Sequence, residues 1–281
     1  MASFFQSVGV AVSFSPYCVS LLREAKRFKD VLGSKLFLIH IGEFTKAAEK
    51  HIQQLAMQVD LHEKDYTIIS RKGDPAELII KISKDQKLSL LIMGALEKEN
   101  FIKYYLGSVA RKVMRMAPSN VLVITPSSHT FEGFKNICVS IDYSADSEYA
   151  VKCAYEIALL NSVPSITLIR EVQTPGLAIT VHDSGSTQET DEARKRWQEE
   201  ELAKMKFFAR ELHCKNVTFE LVCLIGKKGV ESVQYMEHTR GDLLVSFSHK
   251  KSSSFWDRVF QNDLEYIFEK LPRAFLLVKR G

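Results

Sequence analysis

The feature that most constrains the fold is a repeat: the order of strand-like and helix-like segments in the first half recurs in the second. In the first half Val8 to Val12 is a short β-branched run. Ser15 and Pro16 then supply a helix cap and a first-turn proline, and Leu21, Leu22, Ala25, Phe28 and Leu32 recur at helical spacing before Gly33. Lys35 to Ile41 reads as a strand, Thr45 to Val59 as an amphipathic helix and Tyr66 to Ser70 as a third strand. Asp74, Pro75 and Glu77 follow as a capping box ahead of Leu78, Ile79 and Ile82. Leu88 to Met93 is a fourth strand, Gly107 to Ala117 a helix, and Val121 to Thr125 a fifth strand after Pro118. Alternation of this kind predicts a parallel sheet covered on both faces.

The second half supplies the same series. Ile137 to Ser144 matches the first strand and its turn, with Asp142 opposite Ser13 and Ser144 opposite Ser15. Ser165 to Val172, Phe219 to Gly226, Asp242 to Phe247 and Phe275 to Val278 match the other strands, with Gly226 opposite Gly73 and Pro272 opposite Pro118. A chain of 281 residues also exceeds one ordinary domain, so two domains of about 140 residues are expected. We place them at 1–127 and 132–281, with a short seam at Pro126 to Glu132 that obliges the halves to touch. The stretch Gln173 to Arg194, rich in Gly, Ser, Thr and Asp, is expected to be an inserted flap.

Composition excludes more than it selects. An apolar fraction of 46% and a charged fraction of 26% are those of an ordinary globular protein. No apolar run approaches the ~20 residues that cross a bilayer. Ser3 to Ser15 lacks the basic flank of a signal peptide, so a cytoplasmic location without a membrane role is expected. The five cysteines are scattered without a CxxC pair, which suits reduced thiols. A net charge of +4, with basic pairs far apart, argues against nucleic acid as a partner.

The most informative local motif joins a strand end to a helix start: Gly94-Ala95-Leu96-Glu97, then Gly107-Ser108-Val109. A helix N-terminus presents unpaired N–H groups and partial positive charge, glycine admits an anion close to the backbone, and Ser108 adds a hydroxyl. A capping serine and a tight strand exit at Gly94 are the structural alternatives. The spacing resembles the Gly-x2-Gly-x9-Gly-Ser/Thr loop that nucleotide-binding universal stress proteins carry between the fourth strand and fourth helix. Leu106 to Val113 looks like that family's helix signature, and Gly73 to Glu77 like its third-strand exit. The resemblance runs through both halves. It implies strand order 3-2-1-4-5 in each, a doubly wound Rossmann-like fold, and pairing of the halves through their last strands. Further homodimerisation is left open.

Two departures bear on the ligand. The family's middle glycine is Glu97 here, which adds a like charge to a phosphate loop, and Ser13 stands where the family commonly has aspartate. In the second half Asp142 is retained, but Phe247 replaces the first glycine, Lys250 the second and Gln261-Asn262 the Gly-Ser pair. Phe255, Trp256 and Phe260 are expected to plug that cleft, with a stacking surface as the alternative, and Asp142 to hydrogen-bond its own turn. His40 reads as a structural strand histidine and Gly226-Lys227-Lys228-Gly229 as a basic turn. No spacing defines a triad, a zinc site or a carboxylate pair.

The resulting expectation is a non-enzymatic stress-response module that binds ATP or a related adenine nucleotide weakly through Gly94, Gly107, Ser108 and Val109. An interaction scaffold that binds no nucleotide is the alternative, and slow ATP hydrolysis ranks third.

Overall fold

The computed structural model describes residues 3–15, 17–43, 45–97, 104–125, 133–172, 187–248 and 264–280. The seam at 126–132 and the expected aromatic plug at Phe255, Trp256 and Phe260 lie outside these, as do Lys250, Gln261 and Asn262.

The first half runs β1 (Ser7–Ala11), α1 (Cys18–Leu32), β2 (Lys35–Ile41), α2 (Lys46–Met57), β3 (Tyr66–Arg71), α3 (Pro75–Asp85) and β4 (Leu90–Gly94). A two-stranded ribbon of β5 (Leu96–Glu97) and β6 (Tyr104–Tyr105) precedes α4 (Ser108–Met116) and β7 (Asn120–Ile124). The second half runs β8 (Ile137–Ser140), α5 (Ala145–Leu160), β9 (Ser165–Val172), α6 (Thr187–Glu211), β10 (Thr218–Ile225), α7 (Val230–Thr239), β11 (Leu243–Ser248), a helix α8 over 264–269, and β12 (Ala274–Lys279).

One ten-stranded sheet results, in the order β10-β9-β8-β11-β12-β7-β4-β1-β2-β3. Read inward from each edge to the centre, each half has the expected order 3-2-1-4-5 with parallel neighbours. The halves meet where β12 and β7 pair antiparallel, Ala274 opposite Ile124 and Leu277 opposite Val121. That junction is two-sided core: β7 is buried throughout, and so are the first five residues of β12. Strands covered on both faces lose the alternation of a half-exposed sheet and read as continuous apolar runs.

The two faces hold one apolar layer each, and both layers cross the junction. One is built on α1, α2, α5 and α6, from Leu22 and Phe28 through Ile52 to Ala154 and Met205. The other is built on α3, α4, α7 and α8, from Ile79 and Val113 to Val233 and Phe268. The matched turns of the two halves also share backbone conformation, with Gly73 and Gly226 at φ 150° and 155°.

Several local expectations need correction. α1 begins at Cys18 after Tyr17, not at Ser15 and Pro16. The Ser15 hydroxyl sits 3.2 Å from that of Ser13, and the turn closes instead through the Cys18 N–H to the Ser15 carbonyl at 3.1 Å. Asp74 does cap α3, accepting from the Glu77 N–H at 2.8 Å, but the Glu77 carboxylate reaches Lys112 at 3.1 Å on α4 rather than returning to close a capping box. The end of the expected flap, from Thr187, is the start of α6; residues 173–186 lie outside the described set. The helix-forming Glu, Gln, Arg and Lys side chains after 187 carry this, and the Gly- and Ser-rich stretch before them masked it. Among the described residues no helix is long and apolar enough to cross a membrane.

Candidate functional site

In open parallel sheets ligands settle outside the carboxyl ends of the strands where the chain direction switches, here between β1 and β4. A cleft of about 520 Å³ opens there in the first half. Its floor is apolar: Ala11 and Val12 at the end of β1, Ile39 and Ile41 of β2, Met93 and Ile124. Its rim carries the hydroxyls of Ser13, Ser15, Tyr17 and Ser108. Gly94, Gly107, Ser108 and Val109, singled out from sequence, all line it.

Local geometry explains how they converge. Gly94 ends β4 opposite Ile124, so the chain leaves the sheet at the cleft mouth. Gly107 is the N-cap of α4, and Ser108 is the first helical residue instead of the cap. A Cβ at Gly107 would come within 2.6 Å of Leu96 Cδ1, so a larger residue there would oblige the Leu96 side chain to move. At Gly94 a Cβ would meet only Leu21, at an ordinary 3.6 Å. Thr45 on α2, Asp74 on α3 and Ser144 on α5 close their helix starts with a side chain, whereas α1, after Tyr17, has no side-chain cap. α4 has no side-chain cap, and its first turn faces the cleft. The N–H groups of a first helical turn have no partner within the helix, so this end is open to an anion. Glu97 lies in β5, paired with Tyr104, immediately beside this loop.

The equivalent cleft of the second half has closed to about 50 Å³. Phe247 stands opposite Val278, six residues after Pro272, as Gly94 stands opposite Ile124, six residues after Pro118. The replacement of glycine by phenylalanine seen in sequence is thus a replacement in space. Phe247 is 6% exposed, and Leu264 and Ile267 of α8 line the remainder. The Glu171 carboxylate also faces this cleft and accepts from the N–H groups of Gly229 (3.0 Å) and Ser232 (2.7 Å) at the start of α7. Sequence reading missed it because an acidic residue at a strand end gives no sign of which helix start it will meet. Asp142 accepts from the Ser144 N–H at 2.9 Å, the turn role expected of it.

Near the first cleft His40 is buried, its Nδ1 3.3 Å from the Val12 carbonyl oxygen, with Phe14 stacked 4.8 Å away. Burial pushes the thiols of Cys18 and Cys138 up, to about 11 and about 12, so neither is a ready nucleophile. Among the described residues no group of three or more His, Cys, Asp or Glu side chains is placed to hold a metal.

Residues 42–125 match the model of the universal stress protein family. The chain carries a universal stress protein domain. A universal stress protein of Methanocaldococcus jannaschii is 30% identical over 104 residues, 37% of this chain and 59% of that protein. Another, of Methanothermobacter thermautotrophicus, is 32% identical over 59 residues, 21% of this chain and 40% of that one. The matches thus span only about half the length of these relatives. Over the whole chain, the solved structure of a universal stress protein from Archaeoglobus fulgidus superposes with a TM-score of 0.71 at 15% identity, covering 98% of this chain and 99% of that one. A functionally unknown protein from Pseudomonas aeruginosa gives 0.70 at 17% identity, covering 98% and 92%. The universal stress protein fold therefore extends through both halves.

Proposed function

We propose that the chain is a non-enzymatic stress-response module whose first half binds an adenine nucleotide, ATP or a close relative, weakly. The observation that carries this reading is the uncapped start of α4 opening onto a cleft of about 520 Å³. Nucleotide pockets fall in a range of about 300–1,000 Å³. The amides of Ser108 and Val109 and the Ser108 hydroxyl would receive phosphate, and the apolar wall of Val12, Ile39 and Ile41 would receive the base. Glu97 beside the loop repels phosphate, which favours weak binding. Among the described lining residues there is no carboxylate, imidazole or amine to serve as a general base, which supports binding without turnover.

Calorimetric titration with ATP tests the reading on wild type and Gly107→Glu. The variant sets a charge and a side chain where Leu96 already crowds the backbone. Binding heat is expected for wild type only; none at millimolar ATP, or an unchanged variant, overturns the nucleotide reading. Phosphate release above buffer would overturn the non-enzymatic one. The closed second cleft favours a second duty, display of a surface to a protein partner, for that half.

A further inference from the structure

The loop that opens onto the first cleft is held in place from the second half. Leu106, immediately before Gly107, is 1% exposed, and both of its backbone polar groups therefore need partners. Its N–H donates to the Phe268 carbonyl of α8 at 3.0 Å. Its carbonyl accepts from Arg111 Nε at 2.9 Å. The same guanidinium pairs with Glu265 of α8 and lies over the Phe268 ring at 5.9 Å, while Arg115 pairs with the other Glu265 oxygen. Held by the Leu106 carbonyl at Nε, by Glu265 at a terminal nitrogen and by the Phe268 ring across its face, the Arg111 guanidinium plane is fixed in a way that a single surface pair does not achieve.

The charges are also distributed in a way that specifies this pairing. Glu265 stands seven residues before Pro272, as Arg111 stands seven before Pro118, so the two occupy corresponding places in the two halves. Two copies of the first half joined in the same manner would set arginine against arginine, and two copies of the second would set glutamate against glutamate. The two halves fit each other and not themselves.

We propose that Glu265 is a positioning residue for the first cleft: it fixes Arg111, which holds the Leu106 carbonyl and so aims the backbone of Gly107, Ser108 and Val109 at the ligand. This rests on the nucleotide reading only for what the ligand is. The positioning of the loop is measurable without it.

The test uses the full chain as Glu265→Gln, Glu265→Asp and Arg115→Ala, with two readouts. In the ligand-free protein, amide hydrogen exchange over residues 106–110 is expected to quicken about tenfold in Glu265→Gln. Exchange over β1 and α2 stays as in wild type. ATP affinity is expected to weaken about five- to tenfold, the scale of a modest coupling between sites. Glu265→Asp retains most of both properties, and Arg115→Ala, which spares the Arg111 bond to Leu106, changes each by less than about twofold. Unchanged exchange over 106–110 in Glu265→Gln overturns the proposal. So does quickening spread evenly over the chain, or an equal loss in Arg115→Ala, because each reports general stability in place of positioning. Absence of ATP heat in wild type with local quickening in Glu265→Gln leaves the positioning intact and rejects the nucleotide.

Discussion

The two clefts are built on the same strand order and differ tenfold in volume, about 520 Å³ against about 50 Å³. The backbone therefore does not decide what such a cleft holds. A few side chains at its mouth do. In the first half the fourth strand ends in Gly94 and the following helix start is uncapped; in the second the same strand position is Phe247, and a protein carboxylate, Glu171, already sits at a helix start facing the cleft. The flanks diverge in the same sense. Phe14 packs between His40 and His51 beside the first cleft. At the matching place Tyr143 donates to Glu201 of α6 at 2.8 Å, and Arg170 donates to the same carboxylate at 3.0 Å while lying over the tyrosine ring. The first half keeps an open, lightly polar mouth, whereas the second has converted its own into internal packing and ion pairs.

If Phe247 is packing, removing it must cost stability. Phe247→Gly is expected to destabilise by about 4 kcal/mol, the scale of a large-to-small core change, and to gain no nucleotide binding because Glu171 still faces the cleft. Denaturant unfolding measures the first part and an ATP titration the second. A loss under about 1 kcal/mol, or new binding, would show that the second cleft is closed only in appearance.

A second contrast lies on the helices that follow the first strands. Glu24 of α1 is fully buried, neither carboxylate oxygen is hydrogen-bonded among the described residues, and Arg27 lies at 3.9 Å as an ion-pair partner. Arg27 is itself turned to Asn161 at the end of α5, at 2.8 Å. Nine residues past Ser144, as Glu24 is nine past Ser15, the second half has the buried Cys153. Burial pushes the Glu24 carboxyl up to about 7, against a smaller opposing effect of Arg27. The folded state thus favours the protonated acid. Its contribution to stability is complete below the unfolded value of 4.5 and is lost as pH rises through about 7. Wild type is expected to lose about 3 kcal/mol over that window. Glu24→Gln flattens the curve, so it is the more stable form at pH 8 and close to wild type at pH 4.5. Urea melts at both pH values check this, and parallel curves for the two proteins would contradict it.

Much of this was legible in the sequence because it is local or periodic. Strand and helix positions, the recurrence of Pro118 as Pro272, and the gathering of Gly94, Gly107, Ser108 and Val109 follow from spacing and from glycine at a strand-to-helix joint. The features that escaped depend on partners distant in the chain. Glu171 meets Gly229 and Ser232 only because β9 and β10 are neighbours in the sheet. Arg111 meets Glu265 only because β7 and β12 join the halves. The cap at Ser15 failed because a backbone hydrogen bond closed the turn in its place. Spacing marks a helix start, but it does not say which of several donors and acceptors will win there.

That the first cleft is open and the second closed is tested most directly by nucleotide stoichiometry under a single exchange of residues. Gly94→Phe copies the second half's residue into the first, where a Cβ meets only Leu21 at 3.6 Å, and a cooperative thermal melt checks that the variant is folded. Equilibrium binding of ATP to wild type is expected to saturate at one nucleotide per chain, and Gly94→Phe to weaken it at least about tenfold, the scale of a lost apolar site. Two nucleotides per wild-type chain, or a folded Gly94→Phe that binds as wild type does, would contradict it.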